Sequence, residues 1–297
     1  MLKRLTKREK ILSGLVVLLI VLLGTVSIVY LLRHTDAKNS AVAIEPTIFI
    51  TGSDGKLNTI DPLVQAITNK GKIPARKALT FVAQTDGTVV VSGRISKDNV
   101  RPAIEVGMEE GTNSGTKQEA ALKAVVLYLQ QNYNVTSLNM VGFSAGGTGV
   151  LHYLIDYSND TKLPKINKFI SLDGQYNAST AQPSQTLDEV LLNGPKIKSQ
   201  YFAYQVQNIK KINPAVQIYM LAGNYQNSNS TDGVVPWADT FSIYYLFKAN
   251  GNPLVKYTYN GADDVTWHGY VPKNPEAQRF IGRTLYAPNT PNWQLPK

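Results

Sequence analysis

Short apolar runs that alternate with helix-length stretches constrain the fold of this chain more than any other feature. The first run, residues 47–52, stops at a glycine, and comparable buried-strand patterns recur at 103–106, 138–142, 166–172, 216–221 and 254–259. Strands that are joined by a helical crossover pair in parallel, with helices on the faces of their sheet. The sequence therefore predicts an α/β fold with a mostly parallel, doubly wound sheet.

A β-hairpin is predicted at one edge of this sheet. Residues 78–83 and 88–92 are rich in β-branched and aromatic residues, and Thr85-Asp86-Gly87 separates them. Asp-Gly between two such runs is typical of a tight hairpin turn in which both turn residues take positive φ. The hairpin adds an antiparallel edge to the parallel sheet.

Helices are predicted between the strands from caps and from apolar periodicity. Thr116-Lys117-Gln118-Glu119 has capping-box spacing and predicts a helix that ends near Tyr133. Asn274-Pro275 supplies the N-cap and first residue of a final helix that reaches about Tyr286. Further helices are predicted over about 146–157, 198–212 and 237–248.

An insertion is predicted between the strands 166–172 and 216–221. Residues 174–197 have mixed polarity and several turn formers, so a small lid-like insertion over about 174–213 is expected. Its aromatic residues either line an acyl pocket or pack in the core and on the surface. They are Tyr176, Tyr201, Phe202 and Tyr204.

The N-terminus predicts a membrane anchor. Residues 11–32 hold no charge and would span roughly 33 Å as a helix, enough to cross a bilayer. Five basic residues precede this stretch, so residues 1–10 are predicted to be a cytoplasmic tail. Residues 33–45 then form a linker, and 46–297 a single extracellular domain. The alternative is a cleavable signal peptide, with Ala41 and Ala43 as small residues near a cleavage site.

Composition excludes several classes of function. The chain has no cysteine and three histidines, which excludes disulfides, thiolate catalysis and cysteine-ligated metals and disfavours a histidine-rich metal site. The formal net charge of +9 lies mainly in residues 1–35, and the other 262 residues carry only +4, so no nucleic-acid partner is expected. No phosphate-binding, dinucleotide or zinc-protease motif is present. Neither a cofactor nor a metal is predicted.

One motif carries chemistry. Residues 142–146 read Gly-Phe-Ser-Ala-Gly, which matches G-x-S-x-G, at the point where a predicted strand turns into a predicted helix. A serine in such a turn projects its hydroxyl above the sheet, and the helix N-terminus favours negative charge that develops beside it. Ser144 is therefore the predicted nucleophile. The alternative is a tight packing turn with an inert serine.

His268 is the predicted base. His34 lies at the membrane boundary, and His152 would lie about 12 Å along the helix from Ser144. His268 falls in the polar loop 261–269 after the last strand, where the chain order Ser, acid, His of α/β-hydrolases places the base.

The same chain order predicts Asp232 as the acid that orients His268, because Asp232 follows the strand 216–221. The other carboxylates considered for this role are Asp173, Asp239, Asp263 and Asp264. The last pair is too close to His268 in sequence for the usual arrangement, whereas Asp173 and Asp239 remain alternatives. Any of these side chains could instead cap a loop.

An oxyanion hole needs two backbone donors. The Ala145 N–H, directly after the nucleophile, is the first. The second is predicted in the loop after the first strand, at Ser53 or at Gly52.

These features together resemble a known family. They are the apolar stretch 11–32, Thr51-Gly52, Asp86-Gly87, the segment 142–147, Asp232-Gly233, Val235-Pro236 and the late His268. The chain is similar to the α/β-hydrolase family of membrane-anchored, cell-surface, lipase-like hydrolases of Gram-positive bacteria, including lactobacilli and listeriae. The resemblance covers most of residues 46–286 and implies serine hydrolases with a Ser–Asp–His triad. Two segments depart from it: Thr51 stands where the family usually has histidine, and Phe143-Ser144-Ala145 replaces a His-Ser-Met elbow.

The sequence thus predicts a membrane-anchored extracellular serine hydrolase, of carboxylesterase or lipase type. Its expected partners are a small-molecule ester or a component of the cell envelope, and the membrane through residues 11–32. A peptidase or amidase that uses the same residues is one alternative. A non-catalytic cell-surface binding module on a hydrolase fold is another, prompted by the changes at Thr51 and Phe143.

Overall fold

The computed structural model describes residues 42–68, 75–178 and 185–286. Eight strands of these residues form one sheet in the order β3-β2-β4-β1-β5-β6-β7-β8. They are β1 (Thr47–Ile50), β2 (Lys77–Ala83), β3 (Val89–Gly93), β4 (Ala103–Met108), β5 (Ser137–Phe143), β6 (Lys165–Leu172), β7 (Gln217–Gly223) and β8 (Leu254–Tyr259). All neighbours are parallel except the antiparallel pair β2–β3. The prediction of a mostly parallel sheet with one edge hairpin is confirmed.

Helices connect the strands. The α-helices of the described residues are α1 (Leu57–Ile67), α2 (Gly115–Asn132), α3 (Ala145–Tyr157), α4 (Leu187–Asn193), α5 (Gln200–Asn208), α6 (Trp237–Thr240), α7 (Tyr244–Asn250), α8 (Asp263–Thr266) and α9 (Pro275–Tyr286). Short 3₁₀ helices occupy Ile209–Lys211, Tyr225–Asn227 and His268–Lys273. The first helix, α1, was not predicted from the sequence.

Both faces of the sheet are covered, because alternate residues of the central strands enter two separate apolar clusters. In β1, Ile48 and Ile50 pack with α2 and α3, whereas Phe49 packs with α1 and α9 on the opposite face. All three side chains are fully buried. This period of two, with apolar residues on both faces, is the pattern of a buried parallel strand.

The hairpin turn differs from the predicted one. Gln84 and Thr88 pair across a loop of three residues, and the Gly87 N–H donates to the Gln84 carbonyl at 3.1 Å. Gly87 alone has positive φ, +85°, while the Asp86 carboxylate accepts from the Thr88 N–H at 2.9 Å. A type I turn closed by a left-handed glycine therefore replaces the two-residue turn, because the Asp86 side chain stabilises the turn without positive φ at its own residue.

The predicted boundaries of two helices need correction. The N-cap of α2 is Ser114, whose hydroxyl accepts from the Lys117 N–H at 3.3 Å, so Thr116 is not the cap. The predicted helix 237–248 is two short helices, α6 and α7. Phe241 and Ile243 between them are both fully buried. Two residues apart in sequence, they would lie on opposite sides of a continuous helix, so the chain breaks there to bury both.

The segment between β6 and β7 contains α4 and α5 in place of one crossover helix. Asn177 links the start of this segment to the residues before α5. Its side-chain amide donates to the Ile197 carbonyl at 2.8 Å, and its side-chain oxygen accepts from the Ser199 N–H at 2.8 Å. The predicted helix 198–212 is α5 followed by a 3₁₀ turn. Residues 179–184 lie outside the described part, and a lid function for 174–213 stays a prediction.

The predicted anchor, residues 11–32, also lies outside the described part of the chain. Within residues 42–68, 75–178 and 185–286, no helix combines the length and the apolar composition that a bilayer crossing requires.

Candidate active site

The carboxyl edge of the sheet brings the predicted site residues together. The chain leaves β1 toward β2 on one side and continues from β5 toward β8 on the other, so the strand order reverses around β1. Such a reversal opens a crevice at the carboxyl ends of parallel strands. The loops after β1, β5, β7 and β8 meet at this edge.

Ser144 occupies a strained turn between β5 and α3. Its φ and ψ are 54° and −126°, a conformation that L-residues rarely adopt, and α3 begins at the next residue. The glycines on either side permit this turn. A Cβ on Gly146 would lie 2.4 Å from the Thr51 carbonyl oxygen, and one on Gly142 would lie 2.6 Å from the Gly146 carbonyl oxygen. The spacing of the motif thus reflects how closely β1, β5 and α3 approach each other.

Three side chains form a continuous hydrogen-bond chain, referred to below as the Ser–His–Asp chain. The Ser144 hydroxyl lies 2.8 Å from His268 Nε2, and His268 Nδ1 lies 2.5 Å from Asp232 Oδ2. The Asp232 and His268 side chains are 1% and 13% exposed. Because a carboxylate only accepts hydrogen bonds, Nδ1 carries the ring proton and Nε2 is free to accept from the serine.

Asp232 is fixed by its own loop. Its Oδ1 accepts from the N–H groups of Val234 at 2.9 Å and Val235 at 2.7 Å, and Gly233 between them takes φ +92°. The Asp232 carbonyl also accepts from the His268 N–H at 2.9 Å. Backbone and side chain therefore both join the loops after β7 and β8.

The other carboxylates considered as acids have different places in the structure. Asp239 is buried and accepts from the N–H groups of Tyr176 and Asn177, both at 2.6 Å, so it caps the loop after β6. Asp263 and Asp264 are exposed and begin α8.

The other histidines lie elsewhere. His152 packs in α3 with its ring 4.7 Å from the ring of Tyr204, and burial lowers its pKa below the ordinary value. It is a packing residue. His34 falls outside the described residues.

Asp173 directly follows β6 and has partners other than His268. It is 1% exposed, and its carboxyl group accepts from the Gly223 N–H at 2.7 Å and from the Tyr259 hydroxyl. Burial, and then the negative charge of Asp232, raise the pKa of Asp173 well above its ordinary value. The predicted rival of Asp232 is therefore its neighbour and not the partner of His268.

The loop after β1 lies against the nucleophile. A Cβ on Gly52 would be 3.0 Å from the Ser144 Cβ, so the backbone at Gly52 and Ser53 borders the serine. Within the described residues, no acceptor takes a hydrogen bond from the N–H of Ser53 or Ala145. Both donors are thus available to a negatively charged oxygen beside Ser144.

Three exposed apolar side chains, called the apolar rim below, flank Asp232 and His268 in the sequence, and the sequence analysis did not identify them. Val234, Trp267 and Tyr270 are 47%, 38% and 48% exposed, and each lies within two residues of Asp232 or His268. Phe143 packs on the base, with its ring 5.1 Å from the imidazole of His268. Large apolar residues next to the predicted acid and base were the signal that could have revealed this rim.

The aromatic residues of the insertion have other environments. Tyr176 and Phe202 are buried in the core, and the Tyr176 hydroxyl donates to Ser171 Oγ at 2.7 Å. Tyr201 is exposed, and Tyr204 packs on His152. Of the predicted alternatives, packing in the core or on the surface is the one observed.

No group of three or more histidine, aspartate or glutamate side chains in the described part of the chain is arranged to hold a metal ion.

Comparison with known proteins places this arrangement in a family. Residues 34–288 match the family described as alpha/beta hydrolases of unknown function, DUF915. A search of curated proteins gives no match.

Two solved structures share the fold. One is the product of gene lin2722 from Listeria innocua, which is 20% identical, with a TM-score of 0.72 over 85% of this chain and 97% of that one. The other is a candidate cell surface hydrolase from Lactobacillus plantarum WCFS1, which is 21% identical, with a TM-score of 0.65 over 82% of this chain and 92% of that one. The family match spans the whole described sheet and the Ser–His–Asp chain, and this protein belongs to the α/β-hydrolase family DUF915.

Proposed function

We propose that this protein is a serine hydrolase that cleaves carboxylic esters through an acyl-enzyme at Ser144. The observation that carries the proposal is the unbroken Ser–His–Asp chain at the carboxyl edge of the sheet. A serine hydroxyl is a weak nucleophile unless an adjacent base accepts its proton. His268 Nε2 is at the distance for that transfer.

The first half-reaction follows from these contacts. Ser144 Oγ attacks the ester carbonyl carbon while its proton passes to His268 Nε2, and the imidazolium that forms is stabilised by the carboxylate of Asp232. The negative oxygen of the tetrahedral intermediate accepts hydrogen bonds from the N–H groups of Ala145 and Ser53, at the N-terminus of α3. His268 then donates its proton to the departing alcohol, and the acyl group remains on Ser144.

The second half-reaction repeats these steps with water. His268 takes a proton from the water, whose oxygen attacks the acyl carbon, and returns the proton to Ser144 Oγ as the carboxylic acid leaves. Protein side chains supply every proton transfer, and no cofactor takes part in the proposal.

The apolar rim favours esters that carry an apolar group. The exposed apolar side chains near His268 in sequence are Val234, Trp267 and Tyr270. Each methylene group of a substrate that is buried against such a surface contributes at most about 0.8 kcal/mol to the binding free energy. The substrate class we propose is therefore an ester with an aliphatic or aromatic portion.

We also propose that the enzyme acts outside the cell and is held to the membrane by residues 11–32. The uncharged stretch and the basic residues before it support this orientation. A cell-envelope ester is then an accessible substrate.

A panel of 4-nitrophenyl esters of increasing acyl length, with a matched 4-nitroanilide, tests the proposal on the full chain. We expect kcat/KM to rise with acyl length, Ser144→Ala to abolish turnover, and Trp267→Ala to flatten the dependence on length. Val90→Ala is the control for Trp267→Ala. Val90 is also an exposed apolar residue, 57% accessible, but it lies on the edge strand β3 and not in the loops that carry Asp232 and His268. Turnover of the anilide in preference to the esters would indicate a peptidase or amidase. No turnover of either would contradict the proposal.

A further inference from the structure

Phe143 packs on the ring of His268, and the reaction described above does not use it. It is the last residue of β5 and directly precedes Ser144. Its side chain is 3% exposed, and its ring centroid lies 5.1 Å from that of His268, with 31° between the ring planes. The two rings are therefore closer to a stacked arrangement than to an edge-to-face one.

The hydrogen bonds of His268 do not fix its ring completely. Nδ1 lies 2.5 Å from Asp232 Oδ2, and Nε2 lies 2.8 Å from Ser144 Oγ. Two bonds at opposite ends of the imidazole define an axis, about which the ring is still free to tilt. Phe143 opposes such a tilt from one face, because buried rings in contact leave each other little room to move.

The Phe143 ring is itself confined by its surroundings. A Cβ on Gly52, in the loop after β1, would lie 3.2 Å from Cδ1 and 3.3 Å from Cε1 of this ring. The same side chain belongs to the apolar cluster that contains Val141 and Leu172. The loop after β1 and the core therefore fix the position of the ring relative to the base.

The base carries an additional positive charge only during the proposed reaction. His268 Nε2 takes a proton from Ser144 and gives it to the departing alcohol, then takes a proton from water and returns it to Ser144 Oγ. The face of a phenyl ring is negative and attracts a cation within about 6 Å of its centroid, more strongly where water is excluded. This attraction develops together with the imidazolium, so it favours the transition state over the bound substrate.

We propose that Phe143 is a positioning residue that holds the ring of His268 in line with Ser144 and Asp232 and stabilises the imidazolium that forms there. The proposal rests on the proposed function of the Ser–His–Asp chain. Phe143 acts through His268 and not on the substrate, so its effect should appear in kcat and not in KM.

Fluorination of the Phe143 ring tests this proposal, because each fluorine weakens the negative potential of the ring face while the shape of the ring is nearly kept. Mono-, di- and trifluorophenylalanine are incorporated at position 143 of the full chain, and kcat and KM are measured with the 4-nitrophenyl esters. We expect kcat to fall stepwise with the number of fluorines, by about 2- to 30-fold over the series, with KM unchanged. The effect of a residue that only fills space would not follow the number of fluorines.

Phe169 provides the matched control. It is a fully buried phenylalanine of the neighbouring strand β6, and it packs in the apolar cluster on the opposite face of the sheet. The same fluorinated residues at position 169 should leave kcat unchanged. Phe143→Leu keeps an apolar side chain without a ring, so it should lower kcat at least as much as the trifluoro residue does, whereas Phe169→Leu should not. Thermal unfolding checks that each variant is folded.

Three results would overturn the proposal: a kcat that does not change with the number of fluorines at position 143, an equal dependence at position 169, or wild-type kcat in a folded Phe143→Leu. Should Phe143→Leu fail to fold, the fluorinated chains decide the matter, because they keep the ring. A wild-type chain without esterase activity would contradict the proposed function and with it the role of Phe143. An active wild type with no dependence on fluorine would contradict the role of Phe143 alone.

Discussion

At the scale of single residues, the site depends on hydrogen bonds that fix the charge and tautomer of each group. Asp232 receives two backbone N–H groups and the His268 Nδ1–H, which leaves Nε2 of the imidazole directed at Ser144. The hydroxyl of Ser144 is positioned by backbone strain at its own residue. Small changes to these groups should therefore affect rate far more than stability.

Asp232→Asn should lower kcat by about 10⁴-fold, because an amide can donate to Nδ1 and so favours the wrong tautomer of His268. The backbone bond from the His268 N–H to the Asp232 carbonyl does not involve the side chain, so the loops should remain joined. Esterase kinetics with thermal unfolding as a fold check is the measurement. Asp263→Asn, an exposed carboxylate five residues before His268, should leave kcat unchanged. Equal effects of the two substitutions would contradict the assignment of Asp232.

Gly146→Ala should both destabilise the fold and impair the turn at Ser144. The added Cβ would lie 2.4 Å from the Thr51 carbonyl oxygen, and overpacking of this kind costs about 1–3 kcal/mol. The melting temperature should fall by about 2–4 °C for each kcal/mol of unfolding free energy that is lost. Gly269→Ala is the matched control next to His268, since its Cβ would meet nothing nearer than 4.0 Å. A wild-type melting temperature for Gly146→Ala would show that the turn has more room than the structure indicates.

At the scale of elements, the end of the chain holds the His268 loop in place through Asn274. Its Oδ1 caps α9 by accepting from the N–H groups of Glu276 at 2.9 Å and Ala277 at 3.0 Å. Its side-chain amide donates back to the carbonyl of Asn260 before α8 at 3.0 Å and to that of Val265 within α8 at 3.2 Å. One buried side chain thus couples the start of α9 to the loop that presents His268.

Asn274→Ala should lower the unfolding free energy by about 2 kcal/mol or more, because a lost cap costs about 1 kcal/mol and two carbonyls lose their donor as well. Chemical denaturation measures this loss. Ser114→Ala, which removes a partly exposed cap of α2 that bonds the Lys117 N–H and the Thr116 hydroxyl, should cost less. If Asn274→Ala lowered the unfolding free energy less than Ser114→Ala does, the proposed coupling of α9 to the His268 loop would be contradicted.

Elements that carry strong local signals could be predicted from the sequence, and those that depend on distant contacts could not. The final helix has its predicted cap and first residue, and the strand 254–259 has its predicted bounds. The helix α1 was missed because Lys56 at its start provides no capping side chain and Pro62 interrupts it. Its buried stripe of Ile60, Leu63, Val64 and Ile67 has helical spacing and was the available signal.

At the scale of the whole molecule, the fold brings together loops that lie far apart in sequence. Ser144 and His268 are separated by 124 residues, and parallel strands direct both to the same edge of the sheet. The G-x-S-x-G motif therefore indicated the serine, and chain order favoured Asp232 and His268 as its partners. The hydrogen bonds from the ends of β7 and β8 to Asp173 could not be predicted, because they follow from the relative depth of neighbouring strand ends, which has no local sequence signal. The apolar rim, by contrast, left a signal in the large apolar residues next to Asp232 and His268.

Several buried carboxyl groups make the stability of the folded domain sensitive to pH. Burial raises the pKa of Glu105 and of Glu119 to about 7 from an ordinary value of 4.5, and the pKa of Asp173 is raised as well. Between pH 4.5 and 7 the folded state keeps protons that the unfolded chain has lost. The unfolding free energy therefore falls as pH rises through this interval.

The decrease of the unfolding free energy between pH 4.5 and 7 should be smaller in Glu105→Gln and in Glu119→Gln than in the wild type. A neutral amide takes up no proton on folding, so its contribution does not change with pH. Chemical denaturation at several values of pH between 4.5 and 7 measures the slope. Glu189→Gln, at the exposed start of α4, is the control and should leave the slope in this interval unchanged, because the pKa of Glu189 is lowered from its ordinary value. A slope of opposite sign, or one that none of the variants alters, would contradict the assignment of these buried protons.

The most direct test of the central claim is covalent labelling of the full chain with a fluorophosphonate, followed by mass spectrometry to locate the adduct. An activated serine displaces fluoride from such a probe, whereas ordinary serines do not react. We expect one adduct, on Ser144, that is absent in Ser144→Ala, strongly slowed in His268→Ala and retained in Ser92→Ala, a control serine on the edge strand β3. A folded wild-type chain that takes no label, or takes it on another residue, would contradict the assignment of Ser144 as a catalytic nucleophile.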